Sequence, residues 1–94
     1  MPAVARQGDL TTGHSCFPPT VPSSYSSDVF ANGLPVVRQG DGIVVHCCPD
    51  GPCHGGTYVG SHTVFVNGSS IQTVGDPISC GDTQAAGSPN VIAG

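Results

Sequence analysis

Val29-Phe30-Ala31-Asn32-Gly33-Leu34-Pro35-Val36-Val37-Arg38-Gln39-Gly40-Asp41 returns, 64 − 29 = 35 residues later, as Val64-Phe65-Val66-Asn67-Gly68-Ser69-Ser70-Ile71-Gln72-Thr73-Val74-Gly75-Asp76. Both stretches read as β-prone run, Asn-Gly, second run, Gly-Asp. Asn-Gly between two such runs is the strongest short hairpin signal, since both residues tolerate the positive φ of a type I′ turn. The gap from the turn Gly to the Asp is the same in both (41 − 33 = 8; 76 − 68 = 8). Gly supplies the permissive backbone at the end of the second run, and the Asp carboxylate is expected to accept N–H groups of the loop that follows.

A third copy is split across the termini. Ala3-Val4-Ala5-Arg6-Gln7 leads into Gly8-Asp9, and Val91-Ile92-Ala93-Gly94 supplies the missing first run. The chain is therefore about three copies of one unit, cyclically permuted. The runs predict short strands of about four to six residues, and no window has useful helical periodicity. An all-β, turn-rich single domain spanning residues 1–94 follows. Three copies around an axis would make a compact three-sided body with all three post-Gly-Asp loops at one end. The Pro/Ser-rich stretch 17–27, with Pro18, Pro19 and Pro22, is expected to be an extended surface loop of the first copy.

Composition narrows the function. The net charge is −4 and Arg6 and Arg38 are the only Lys or Arg residues, so no basic face for nucleic acid can be built. No stretch approaches the roughly 20 apolar residues of a membrane span. The N-terminal MPAVARQGD lacks the apolar segment of a secretory signal, which predicts synthesis in the cytoplasm. With 14 Gly, 9 Pro, no Trp and 5% aromatic residues, the core is thin and the fold is expected to need a staple.

Each Gly-Asp is followed by a metal-ligand side chain: His14 after Asp9, His46 after Asp41 and Cys80 after Asp76, at offsets of 5, 5 and 4. Converging loops would bring these three together. The second loop offers a fourth donor, His54, because Pro49-Asp50-Gly51-Pro52 can fold it back beside His46. Three imidazoles and one thiolate suit a closed, four-coordinate structural Zn²⁺ site, although Fe²⁺ or Ni²⁺ could bind the same donors. Other sets remain open. Cys48 and Cys53 could chelate with His46 or His54, form a local disulfide across the Pro-Asp-Gly-Pro turn, or lie buried as apolar groups, and Cys16 has the same ambiguity. Five cysteines cannot all pair within one chain. His62 stands where the third copy has Pro89, which reads as a surface histidine. The nearby acids Asp9, Asp41 and Asp76 are assigned to turns, the chain contains no Glu and four protein ligands leave no open metal position, so a zinc hydrolase is disfavoured and the protein is not expected to be an enzyme.

These motifs together resemble the PAAR-repeat proteins: Pro35-Val36-Val37-Arg38-Gln39-Gly40-Asp41, the Val-Phe-x-Asn-Gly turns, Gly13-His14, the His46…Cys53-His54 loop, Ile78-Ser79-Cys80-Gly81 and the terminal Gly-Ser-Pro-Asn-Val-Ile-Ala-Gly. The Pro-Ala-Ala-Arg signature reads Pro-Val-Val-Arg in the second copy, and Ser70-Ile71-Gln72-Thr73 has lost its Pro and Arg. The doubled Cys47-Cys48 departs from the pattern as well. The resemblance implies a small pseudo-threefold cone of short β-hairpins, with zinc held near its vertex by three His and one Cys. It implies a structural role, capping a trimeric β-helical spike of a type VI secretion system (VgrG-type) or a contractile phage tail, one tip per trimer. Such a tip meets the target membrane transiently and leaves the producing cell, or joins the virion, on its spike. No toxin domain follows the repeats here, so any effector is expected to be a separate partner. The alternative reading is a small zinc-binding or disulfide-stabilised interaction module with another partner.

Overall fold

The computed structural model describes residues 2–93; Met1 and Gly94, the last residue of the third apolar run, lie outside the described residues. Three two-stranded antiparallel hairpins contain all the named strands: β1 (Phe30–Ala31) with β2 (Leu34–Pro35), β3 (His46–Cys47) with β4 (Cys53–His54), and β5 (Phe65–Val66) with β6 (Ser69–Ser70). Among the described residues there is no helix, and the fold is all-β. The two Asn-Gly pairs are the type I′ turns their sequence predicts: Asn32 and Gly33 have φ of 54° and 79°, and Asn67 and Gly68 have 53° and 81°.

The third hairpin is assembled from the two ends of the chain. Ala3 bridges Ile92 as Pro35 bridges Phe30, and Val4 N–H donates to Val91 O at 2.9 Å. Val36 to Val29 at 3.1 Å and Ile71 to Val64 at 2.9 Å are the equivalent bonds in the other two copies. The split first copy is thus closed by the backbone itself.

The strands are shorter than expected, and the reason is the threefold winding. Ala5 N–H donates to Gln72 O, Gln72 N–H to Val37 O and Val37 N–H to Ala5 O, each at 3.0 Å. One residue from each copy closes a ring around the axis. Two residues on, Gln7 donates to Pro35 O (2.9 Å), Gln39 to Ser70 O (2.7 Å) and Val74 to Ala3 O (2.8 Å). Successive residues of one run therefore bond to different neighbours, so their N–H and C=O groups are satisfied without a long two-strand ladder.

Side chains follow the same symmetry. Val4, Val36 and Ile71 pack with Ala31, Val66 and Ala93 in one core cluster, two matched triplets from three copies. Each such fully buried Val or Ile contributes about 1.5–3 kcal/mol. Alternation along the hairpins turns the preceding residues outward: Phe30 (56% exposed), Phe65 (66%) and Ile92 (55%) form an equally matched apolar triplet at the surface, flanked by Val29, Val64 and Val91. The next layer is Ala5, Val37, Ile43, Tyr58 and Ile78, with Tyr25 and Cys80 packed against it. Here symmetry breaks, because the third member of the Ala5–Val37 set is Gln72. Its buried amide accepts from Gly60 N–H at 3.0 Å and donates to Gly60 O at 3.0 Å, so the polar group carries its own partners.

The Gly-Asp corners act backwards along the chain rather than forwards. Gly8, Gly40 and Gly75 have φ of 85°, 92° and 95°, and each Asp carboxylate accepts the N–H of the residue three before it. These bonds are Arg6 to Asp9 at 2.9 Å, Arg38 to Asp41 at 2.7 Å and Thr73 to Asp76 at 2.7 Å. Arg6 and Arg38 add guanidinium bonds to the same carboxylates and reach across to the Asn-Gly turns at Asn32 and Asn67, each at 3.2 Å. In the third copy Thr73 occupies the Arg position, and His62 Nε2 takes over the Asp76 carboxylate at 2.7 Å. His62 is therefore a half-buried partner of the corner, not a free surface histidine. Residues 17–27 also differ from expectation. Val44 N–H donates to Val21 O, Ser23 N–H to Gly42 O and Ser26 N–H to Val36 O, all at 2.8–2.9 Å, and Pro22 and Ser26 are buried. Proline lacks the N–H but keeps its carbonyl and apolar ring, so the segment packs along the second copy instead of standing free.

Candidate metal centre

Three segments beyond the second core layer carry the site. The first is a tight turn, His14-Ser15-Cys16-Phe17. His14 N–H donates to Phe17 O at 3.0 Å, Phe17 N–H to His14 O at 2.9 Å, and Ser15 takes φ of 53°. Gly13 permits it: at φ of 75°, an added Cβ would lie 2.9 Å from Phe17 O and from Pro19 N. The second segment is the β3–β4 hairpin. Asp50, at φ of 55°, turns the chain within Pro49-Asp50-Gly51-Pro52, and His46 and His54 become directly opposed cross-strand partners. The third is the Ile78–Asp82 turn, closed by Ile78 N–H to Asp82 O at 2.9 Å, with Gly81 at φ of 104°. It delivers Cys80. An added Cβ on Gly56 would come within 3.2 Å of Cys80 Cβ, so this glycine lets the second loop reach the third.

The ligand atoms of His14, His46, His54 and Cys80 all lie within 4.8 Å of one another. In a tetrahedral zinc site, bond lengths of roughly 2.0–2.3 Å set the donors about 3.3–3.8 Å apart, so small side-chain movements suffice to close the group on an ion. The imidazole nitrogens fit that use. His46 Nδ1 donates to Pro18 O at 2.8 Å, which fixes the tautomer and leaves a lone pair on Nε2. His46 Nε2, His54 Nε2 and both nitrogens of His14 are buried with no hydrogen-bond partner. Buried nitrogens without partners are costly, and a shared cation would satisfy them together. Burial, reinforced by neighbouring His46 and His14, holds the His54 imidazole below its ordinary value, in the neutral form a metal requires.

The remaining cysteines brace this group. Cys47 and Cys53 are bonded across the hairpin, one position in from the His46–His54 pair, and Cys16 is bonded to Cys48, joining the His14 turn to the His46 loop. Cys80 is the free cysteine among the described residues. The odd count is thus two disulfides plus one thiol. Chelation by Cys48 and Cys53 is excluded by these pairings, and the bond across the Pro-Asp-Gly-Pro turn uses Cys47 rather than Cys48.

Two further residues at the site are not among those expected from the sequence. Phe17 lies with its ring centroid 3.7 Å from that of His54, 5.1 Å from His14 and 5.0 Å from His46, shielding all three imidazoles on one side. Its position directly across a two-residue turn from His14 is the signal that could have found it. Asp82, with its side chain wholly buried, sits 3.9 Å from His14 Nδ1. Burial alone would raise its carboxyl, but the neighbouring Thr11 hydroxyl and the hydrogen bonds from the Thr83 N–H and Thr12 outweigh that and hold it below the ordinary carboxylate value.

No curated protein matches the chain. The family model described as PAAR motif matches residues 20–86, which take in the second and third Gly-Asp corners, the complete β3–β4 hairpin and Cys80. That family is structural rather than catalytic, and its match agrees with the short antiparallel hairpins and the absence of helix among the described residues. With more than two-thirds of its length matched, the chain belongs to the PAAR-motif family.

Proposed function

We propose that this protein is the tip of a trimeric β-helical spike of the kind built by type VI secretion systems or contractile phage tails. In this reading it binds one chain per trimer and is stiffened at its point by Zn²⁺ held by His14, His46, His54 and Cys80. The observation that carries it is a threefold-matched apolar surface on the hairpins that do not carry the ligand candidates. Phe30, Phe65 and Ile92, with Val29, Val64 and Val91, repeat one apolar surface three times in a single chain. Such repetition has a physical use when the partner has true threefold symmetry, since each copy can then make the same contact. Patches of this kind, exposed on a small domain, mark interaction sites. The ligand group and both disulfides are gathered instead on the loops that follow the Gly-Asp corners, where rigidity would serve a point driven through an envelope. Synthesis in the cytoplasm and departure on the spike belong to the same proposal.

Mixing the protein with a trimeric β-helical spike fragment and measuring the mass of the complex tests it. The expected stoichiometry is one chain to three spike chains, weakened at least tenfold by Phe30→Asp with Phe65→Asp. Failure to bind trimeric β-helices, or binding that ignores these substitutions, would refute the proposal. A complex of another stoichiometry would favour a disulfide-stabilised interaction module with a different partner, a reading that the two disulfides also suit.

A further inference from the structure

Position two after the first ligand candidate of each copy is occupied in a patterned way: Cys16 after His14, Cys48 after His46 and Asp82 after Cys80. The first two are bonded to each other, and the third is a carboxylate. Asp82 Oδ1 accepts Thr12 Oγ1–H at 2.9 Å and the Thr83 N–H at 2.8 Å, while Oδ2 is buried with no partner. The two arginines of the chain are engaged elsewhere, with Asp9 and Asp41. A buried carboxylate without a cation is costly. The basic group nearest to the carboxylate is His14 Nδ1, itself buried and unpartnered, 3.9 Å from Oδ1.

We propose that Asp82 is the positioning residue and counter-ion of the metal centre, closing on the Nδ1–H of His14 when the ion binds and presenting Nε2 to it. The proposal rests on the reading of the His14–His46–His54–Cys80 group as a metal site. Three neutral imidazoles and one thiolate leave a net charge of +1 on a divalent ion, and the Asp82 carboxylate neutralises it. His46 obtains its orientation from a neutral carbonyl, that of Pro18. His14 obtains it from a charge. Histidine ligands held by a carboxylate in this way are more basic and fixed in tautomer.

Asp82→Asn separates this role from ordinary structural support. The amide keeps the size, and its oxygen can still accept from Thr12, Thr83 and the His14 Nδ1–H, but it carries no charge, so the metal centre loses its counter-ion. Zinc affinity, measured by competition with a chromophoric chelator, should fall about 10- to 100-fold. The metal-free melting temperature should stay the same or rise, because a buried charge without a cation has been removed. The His14 imidazole N–H, protected from exchange in the zinc form, should exchange faster in the variant. Thr12→Val, which removes one of the two hydrogen bonds that hold Oδ1 in place, should lower zinc affinity in the same direction by a few-fold. Unchanged zinc affinity in both variants, or equal destabilisation of Asp82→Asn with and without zinc, would overturn the proposal while leaving the metal site intact. A wild-type protein that does not bind zinc would overturn both.

Discussion

Replacing Cys16 and Cys48 together by Ser tests how much of the tip is held by covalent bracing rather than by core. The bond spans a sequence separation of 32, from the His14 turn to the His46 loop. In the chain-entropy treatment a loop of that length is worth about 3.5–4 kcal/mol, and the six-residue separation of Cys47–Cys53 about 2 kcal/mol. Domain stabilities run to only about 5–15 kcal/mol, and this core is thin. The double variant, stripped of metal with EDTA, should therefore melt roughly 15–30 °C below the oxidised wild type, at about 4–8 °C per kcal/mol for a domain this size. The assay is calorimetry on metal-free protein, oxidised and reduced, alongside thiol titration after unfolding. With two disulfides among five cysteines, the oxidised wild type should titrate one thiol, that of Cys80. A melting temperature indifferent to reductant, or more than one thiol in the oxidised chain, would refute the bracing argument.

His14→Ala or Cys80→Ala should each take zinc content, read by plasma mass spectrometry, from near one per chain to near zero; full occupancy in both would refute the four-ligand site. Structural zinc in small domains is worth roughly 10–16 kcal/mol, so the wild type should also melt far higher with zinc than with EDTA. Because His54 is held below its ordinary imidazole value by burial and by His46 and His14, the unfolded chain binds its proton first. The stability His54 contributes is then full above the unfolded value of about 6.5 and lost as pH falls through it toward the folded value. The metal-free melting temperature should drop on acidification through that window, and a rise would contradict the sign. At the third corner, His62→Ala leaves Asp76 with only the Thr73 N–H and hydroxyl and should cost about 1–3 kcal/mol in urea unfolding, as should Arg38→Met at the second; no change in midpoint at either would show that these side chains do not hold the corners.

The repeat, the hairpins and the four ligand candidates were legible because each rests on local chemistry. Asn-Gly specifies its turn within two residues, Gly-Asp its corner within four, and Pro-Asp-Gly-Pro folds His54 back beside His46 whatever surrounds it. Strand length was not legible, since a run such as Ala3–Gln7 looks continuous while its successive residues bond to different copies. Nor was the packing of residues 17–27: proline and serine discourage strand, but the open edge of the second copy supplies N–H and C=O partners that override that local preference.

The pairing of cysteines and the exchange of partners at the third corner belong to tertiary structure alone. Nothing in the spacing says that Cys16 meets Cys48, because a disulfide depends on which Cβ atoms arrive within bonding distance after three loops have converged. His62 replaces an arginine that is absent from its own copy, and only the fold brings it to Asp76 across 14 residues of chain. Asp82 reads as one more turn residue until burial removes water from it. The sequence by itself determined a threefold unit and the donors it carries, since both follow from backbone preferences over a few residues. Which buried charges, rings and thiols stand around those donors was decided by the winding of three copies about one axis, where neighbours are set by distance in space.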